Sequence, residues 1–277
     1  MSRAEPLQLT LLPGARALLD AHALALPQKD DLCGAFCAAL ALNAAGMRDR
    51  EGEPLDQDAA ALAAGSVVSR VPDISILPDG EPGRRDYRLE MEFIDDGALS
   101  GTTAAGVVAA IERLSALELV AIPLSGPWTV PALDGLFEAA AELERPVSLL
   151  ANLATGHLWG GRPTVGQLLG NLFDGSSDGP APDWTVGHFA CVVGRLDGPR
   201  GGLYVLADTY PALGRRGVHL QPRELLAAAI ERRDMPAGGV IVAAFAEDAP
   251  TVRAAAAAVG LREGVWDNGT VSSEALG

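Results

Sequence analysis

The chain has 277 residues, of which 48% are hydrophobic and 21% are charged. This composition is that of an ordinary globular protein, with enough length for one large domain or two lobes. The formal net charge of -15 argues against nucleic acid as a partner, because binding a polyanion requires a basic surface that releases counterions.

Sequence features predict a cytoplasmic protein without a membrane partner. No apolar run approaches the ~18–20 residues of a membrane span, and Met1 to Gln8 lack the pattern of a secretory signal. The three cysteines, Cys33, Cys37 and Cys191, are too few and too scattered for a disulfide framework, which favours a reducing compartment.

The spacing of apolar residues predicts a helix-rich first half and a strand-rich second half. The predicted helices lie at 13–24, 33–43, 56–64, 103–117 and 130–143, within 160–173, and at 223–232. The predicted strands lie at 87–93, 119–124, 146–152, 187–193, 203–207 and 239–245. Loop composition marks 72–88 and 174–180, and the residues after Glu263 are predicted to form a poorly ordered tail.

The segment from Gln28 to Cys37 places a thiol at the first turn of an apolar, alanine-rich helix. A helix N-terminus offers unpaired N–H groups and a partial positive charge, and both stabilise a thiolate. Cys33 is therefore a candidate nucleophile. Cys37 lies one turn further along the same face and remains the alternative, whereas Cys191 in mid-strand is expected to be core.

A cysteine nucleophile needs a histidine, and two later segments supply one together with a carboxylate. His188 begins the strongly apolar strand 187–193, and Asp208 closes the next apolar strand, 203–207. If these strands are antiparallel neighbours, Asp208 lies level with His188 and can orient its ring. The order Gln, Cys, His, Asp is thus available along the chain.

These residues resemble the motifs of the papain-like cysteine peptidase superfamily, most of all its C39-like and phytochelatin-synthase-like branches. The shared motifs are Gln28, Cys33-Gly34 opening a helix, Leu42-Asn43-Ala44 near its end, Gly187-His188-Phe189, and Asp208. The resemblance covers residues 27–45 and about 146–230. The segment 47–145 matches no motif of that family.

The resemblance implies an α+β, papain-like two-lobed fold. A helical lobe would carry the cysteine helix, and an antiparallel β-rich lobe would carry the histidine and the aspartate. A single catalytic domain would span 1–250 and be followed by a terminal helix and tail at 251–277. Its parts would be a helical lobe at 1–64, an α/β insertion at 65–145 that could carry specificity, and a β-rich lobe at 146–250.

The resemblance also implies roles for individual residues. Cys33 would be the nucleophile, His188 the general base and acid, and Asp208 the residue that orients the histidine. The Gln28 amide and the Cys33 N–H would form the oxyanion hole. The substrate would be a peptide or small amide attacked without a cofactor. Hydrolysis would be the default outcome, and transpeptidation or amide formation the closest variant.

Six further residues are candidates for binding substrate beside this site: Asp31, Gly34, His157, Trp159, Trp184 and Gly187. Asp30 and Asp31 are equally consistent with helix capping. His157 and the two tryptophans are equally consistent with packing. We expect no metal, because no Cys/His cluster has the spacing of a ligand set.

A second functional class stays open at this point. Gln28 and Cys33 are five positions apart, one fewer than the resembled family usually has, and the two acidic residues Asp30 and Asp31 would oppose a thiolate. Both features favour a non-catalytic binding or regulatory protein that keeps the papain-like fold. The oligomeric state is not predicted.

Overall fold

The computed structural model describes residues 7–182 and 184–276, which form eight α-helices and ten strands. The helices are α1 (Ala15–Ala25), α2 (Cys33–Ala44), α3 (Gln57–Ala64), α4 (Ala104–Leu114), α5 (Val130–Ala141), α6 (Val165–Asp174), α7 (Arg223–Glu231) and α8 (Ala249–Ala258). The strands are β1 (Gln8–Leu11), β2 (Val67–Ser69), β3 (Glu92–Ile94), β4 (Leu119–Ser125), β5 (Ser148–Ala154), β6 (Gly187–Asp197), β7 (Gly202–Ala207), β8 (Val218–Pro222), β9 (Gly239–Phe245) and β10 (Arg262–Glu263). None of the described helices has the length and apolar character needed to cross a membrane.

Eight of the strands form one sheet in the order β10-β4-β9-β5-β6-β7-β8, with β1 paired to β6. Every pairing in this sheet is antiparallel. Strands β2 and β3 form a separate parallel pair. The predicted mixture of helices and antiparallel strands is therefore confirmed.

Helix α2 is the central helix of the molecule. It packs against α1, α3 and α4 and against strands β5 and β6 of the sheet, and all of residues 34–42 are buried. A helix that is apolar on every side is stable only inside a protein, and the alanine-rich sequence allows its neighbours to approach closely. Its first residue, Cys33, remains half-buried at the edge of the core.

Side-chain caps begin helices α3, α4 and α5 but not α2. Asp56, Thr103 and Thr129 each accept a backbone N–H from the first turn of α3, α4 and α5. The start predicted for the third helix, at residue 56, is thus confirmed to within one residue. No side chain caps α2, so no side chain neutralises the partial positive charge that the N–H groups of its first turn carry.

The strand predicted at 87–93 is wrong over most of its length. Pairing with β2 begins only at Glu92, and Tyr87 instead donates from its hydroxyl to the Asp30 carbonyl oxygen at 3.1 Å. Alternating polarity makes a strand only where a neighbouring strand accepts its backbone hydrogen bonds. Conversely, β1, β2, β8 and β10 were not among the predicted strands.

The segment 65–145, predicted as an insertion, contributes strand β4 and helix α4 to the main core. Its strand β4 pairs with β9 along six positions and lies inside the large sheet. Its helix α4 packs against α2, α3 and β4. This part of the chain is therefore continuous with the structure that holds the candidate site.

The C-terminal tail is held against the rest of the protein, so the prediction that it is poorly ordered is wrong. Trp266 is buried, and its indole N–H donates to Asn152 Oδ1 at 3.1 Å. Further along, the amide N–H of Val271 donates to the Leu99 carbonyl, and that of Ser273 to the Gly65 carbonyl. One buried aromatic side chain and these backbone bonds outweigh the polar composition of the tail.

Candidate active site

Cys33, His188, Gln28 and Asp31 line one cleft of about 660 Å³. Cys33 is the first residue of α2, where helix amides and the helix dipole favour negative charge on Sγ. His188 lies near the start of β6 and is 2% exposed. The cleft thus lies where the N-terminus of the central helix meets one end of the sheet.

His188 is held by Asp208, which follows the last residue of β7. Its Nε2–H donates to Asp208 Oδ1 at 2.9 Å, which leaves Nδ1 as the ring nitrogen available to Cys33. Trp184 and Tyr210 enclose the ring, with centroid separations of 5.0 and 6.1 Å. The imidazole is therefore fixed in both orientation and tautomer.

Strand register explains why Asp208 can reach His188. Strands β6 and β7 are antiparallel neighbours, as predicted, and their pairing ends with Cys191 opposite Ala207. Asp208 lies one position beyond that pair and His188 three positions before it, so the two side chains share a face and meet diagonally. The sequence suggested that Asp208 and His188 lie level with each other, and the register shows that they do not.

Asp208 has a second buried histidine on its other side. His219 Nε2–H donates to Asp208 Oδ2 at 3.1 Å, and the Gln221 amide donates to His219 Nδ1 at 3.0 Å. Gln221 in turn is held by both backbone groups of Trp159, at 2.8 and 2.9 Å. This arrangement determines the orientation of the Gln221 amide and the tautomer of His219. It also makes Asp208 an acceptor of hydrogen bonds.

The backbone of Asp208 is also restrained. His22 in α1 donates from Nε2 to the Asp208 carbonyl oxygen at 2.5 Å, and the Thr209 N–H donates to Asp208 Oδ1 at 2.7 Å. Burial lowers the pKa of His22 despite the opposing influence of Asp208. Helix α1 therefore helps to position a carboxylate that lies 186 residues away.

Electrostatics favour an ionised pair at the centre of the cluster. Burial by itself lowers the pKa of His188, but the charge of Asp208, its hydrogen bond and the contact with Cys33 together raise that pKa to about 10. Burial likewise opposes ionisation of Asp208, yet His188 and His219 hold its pKa well below the usual range. His188 is thus an imidazolium at neutral pH, next to Cys33 and paired with a carboxylate.

Cys37 and Cys191 lie in a different environment. Both are fully buried, and burial together with the neighbouring Cys191 raises the pKa of the Cys37 thiol well above its ordinary value. A thiol that cannot ionise is a poor nucleophile. Of the three cysteines, Cys33 is the one that lines the cleft.

Gln28 is buried at the cleft wall and bonded to Tyr210. Its Nε2 donates to the Tyr210 hydroxyl at 2.8 Å, and its Oε1 is buried without a partner. Rotation of the amide by 180° would let the tyrosine hydroxyl donate to Oε1 and would leave Nε2 without an acceptor, as a free donor in the wall of the cleft that Cys33 also lines. The second arrangement is the one that an oxyanion hole requires.

Three of the six residues predicted to bind substrate line the cleft: Asp31, Trp184 and Gly187. Asp31 adopts a left-handed backbone (φ 64) and accepts the Ser69 N–H at 2.8 Å. Burial raises the pKa of Asp31, while the Ser69 bond opposes the change. Its carboxylate therefore organises the loop as well as facing the cavity.

The other three predicted substrate contacts lie elsewhere. Gly34 is buried, with Thr102, Val107 and Phe189 so close that a Cβ would lie 3.0–3.2 Å from them. Trp159 is buried in a small cluster with Leu172 and Leu203. His157 is paired on the surface with Asp234 at 3.0 Å. These three residues are therefore not among those that line the cleft.

The sequence reasoning missed several residues of the site. Tyr210, Asn152, Arg232 and the tail residues Asn268–Thr270 also line the cleft. His219 and Gln221 alternate with apolar residues in β8, and that period could have indicated a strand with one polar face. No comparable local signal marks the tail, whose position depends on the contacts of Trp266.

The molecule is a mixed α/β protein in which a cysteine and a histidine line a cleft at one end of an antiparallel sheet, with a buried aspartate bonded to the histidine. Its residues 12–267 match the model of a family of unknown function (DUF6885), and the chain belongs to that family. Comparison with curated proteins gives no match.

Proposed function

We propose that the protein is a cysteine enzyme of papain-like type that forms an acyl-enzyme with a peptide or amide substrate. The observation that supports it most is the buried His188, held by Asp208 and facing Cys33 at the uncapped start of α2. Each of the three side chains has the partner that its chemical role needs.

In the proposed reaction, the Cys33 thiolate attacks the carbonyl carbon of the substrate and a C–S bond forms. Negative charge passes to the carbonyl oxygen, where the Cys33 N–H and the rotated Gln28 amide stabilise it. His188 gives its proton to the leaving amine as the C–N bond breaks. It then accepts a proton from water or another nucleophile, which attacks the thioester and releases Cys33.

Hydrolysis is the default outcome and acyl transfer the variant, since both share the acyl-enzyme and differ only in the acceptor. We place the reaction in the cytoplasm, a proposal supported by three cysteines that are all unpaired.

A non-catalytic binding role is the second candidate. It is supported by the bond that occupies Gln28 Nε2 and by the acidic residues Asp30 and Asp31 in the cleft. A protein that only binds would not require a reactive thiol. The reactivity of the cysteines therefore separates the two candidates.

The test is alkylation of the full chain by iodoacetamide at neutral pH, with each cysteine followed by mass spectrometry. We expect Cys33 to react about a hundredfold faster than the other two, and Cys33→Ala to abolish the fast phase. His188→Ala should slow it, whereas His157→Ala, a histidine outside the cleft, should not. Cys37→Ala is the matched control on the same helix. Slow, uniform labelling of all three thiols would favour the binding role.

A further inference from the structure

Arg232 is a buried guanidinium beside the candidate nucleophile. It follows α7, lines the same cleft as Cys33 and is 3% exposed. Its Nη1 donates to Asn152 Oδ1 at 2.6 Å. Burial lowers the pKa of Arg232, and the charges of Cys33 and Asp234 oppose that change.

This guanidinium makes no ion pair with any residue that the structure describes, although the charge of Asp234 also acts on its pKa. Asp234, two positions further along, is paired with His157 at 3.0 Å instead. Arg232 Nε is buried without a partner, and the only hydrogen bond of the head group within the described residues is the one to Asn152. A buried positive charge without an anion is unfavourable, so the site is suited to an anion that arrives from outside.

The surroundings are built to hold the side chain. A Cβ at Gly187 would lie 2.6 Å from Arg232 Nη2, and a Cβ at Gly238 would lie 2.5 Å from Arg232 Cδ. Arg232 itself has φ 47, a left-handed conformation that favours glycine after a helix. Glycines at 187 and 238 thus leave room for the arginine side chain. Arg232 itself occupies a backbone conformation that favours glycine.

We propose that Arg232 binds a carboxylate of the acyl donor, so that the amide attacked by Cys33 lies close to a free carboxylate group. This inference rests on the proposed function of Cys33 and names its substrate class: amides of amino acids or peptides that carry a carboxylate near the scissile bond. A guanidinium pairs with a carboxylate through short, charge-assisted hydrogen bonds. In a chain of net charge -15, a positive group beside the nucleophile also attracts an anion locally.

Two alkylating reagents of nearly the same size test the proposal, because iodoacetate carries a carboxylate and iodoacetamide a neutral amide. The measured quantity is the ratio of their rates at Cys33 in the full chain at neutral pH. We expect Arg232→Met to lower the iodoacetate-to-iodoacetamide ratio about tenfold or more, with the iodoacetamide rate changed less than about threefold. Arg85→Met removes the same charge from the same cleft and should leave the ratio within about threefold.

Three results would overturn the proposal. An unchanged ratio in Arg232→Met would mean that the carboxylate is not bound there. An equal fall in the alkylation rates with both reagents would mean that Arg232 stabilises the Cys33 thiolate rather than binding the carboxylate. An equal change of the rate ratio in Arg85→Met would mean that the ratio depends only on the overall charge of the cleft.

Direct binding decides the same point without any reaction of Cys33 and without a variant that must fold. By calorimetry, the wild-type chain should bind N-acetylglycine at least about tenfold more tightly than N-acetylglycinamide, and equal binding of the two would refute the proposal. Failure of the proposed function would instead appear as slow alkylation of Cys33 by both reagents, with this preference for the carboxylate retained.

Discussion

Replacing Asp208 with Asn is the most informative change at the site, because it removes one charge and keeps the side-chain shape. Asp208 accepts hydrogen bonds from both His188 and His219, whereas an asparagine would turn a donor toward one of them. A His188 pKa of about 10, against 6.5 ordinarily, corresponds to about 4–5 kcal/mol of favourable interaction. We therefore expect Asp208→Asn to destabilise the fold by about 3–5 kcal/mol near pH 5.5.

The loss of stability should depend on pH in a defined direction. The raised pKa of His188 contributes stability fully below pH 6.5, and this contribution is lost as the pH rises toward 10. The lowered pKa of Asp208 contributes stability above its ordinary value of 3.8, and this contribution is lost as the pH falls through the folded-state value. The difference between wild type and variant should thus be largest between about pH 4 and 6.5 and smaller by about 2 kcal/mol or more at pH 9.5.

Urea unfolding at pH 5.5 and 9.5 measures this difference, and Asp95→Asn is the control. Asp95 is paired with Arg70 on the surface, with 88% of its side chain exposed, and should matter little at either pH. Histidine ring nitrogen spectra should show His188 charged at pH 8 in the wild type and neutral in the variant. Equal destabilisation at both pH values would refute the assignment of an ionised pair.

Three further predictions concern the neighbouring residues. Gln28→Ala should slow acetylation of Cys33 by p-nitrophenyl acetate about a hundredfold but leave iodoacetamide alkylation nearly unchanged, since alkylation forms no oxyanion; equal slowing of both would contradict its role. His219→Phe keeps a ring but leaves Asp208 without one donor, so urea unfolding should show a loss of about 1–3 kcal/mol, and no loss would show that the bond is dispensable. Gly34→Ala places a Cβ 3.0 Å from two neighbouring side chains and should cost about 1–3 kcal/mol in urea unfolding. Gly170→Ala, with nothing within 4 Å, should instead stabilise by about 0.5–1 kcal/mol, and a similar effect of both changes would exclude close packing as the cause.

Much of the candidate site could be predicted from the sequence because its signals are local. The apolar run after Cys33 predicted the start of α2. The apolar run that begins at His188 predicted the start of β6, and the run that ends before Asp208 predicted the end of β7. Residues at such boundaries lie at the edge of a core, where a cleft can form. The local pattern was therefore sufficient to name His188 and Asp208 and to limit the nucleophile to Cys33 or Cys37, between which the family resemblance chose.

The residues that the sequence reasoning missed or misplaced depend on contacts across the chain. His22 meets Asp208 from 186 positions away, and Gln221 meets Trp159 from 62 positions away. Neither contact leaves a local pattern, because each follows from how helices and strands pack. The same reason explains why the close neighbours of Gly34, which include Thr102 and Phe189, could not be foreseen.

The sequence by itself determined the helices and the longer strands, and it marked Cys33, His188 and Asp208 as candidates. The antiparallel β-rich lobe and the choice of Cys33 over Cys37 came from the family resemblance. Only the tertiary structure decided that β4 belongs to the main sheet, that the tail borders the cleft and that Arg232 lies there with no ion pair to any described residue. Periodicity and capping act over a few residues, and the sequence displays them directly. Burial and charge pairing depend on the whole folded chain, because each group's environment is made by residues distant in sequence.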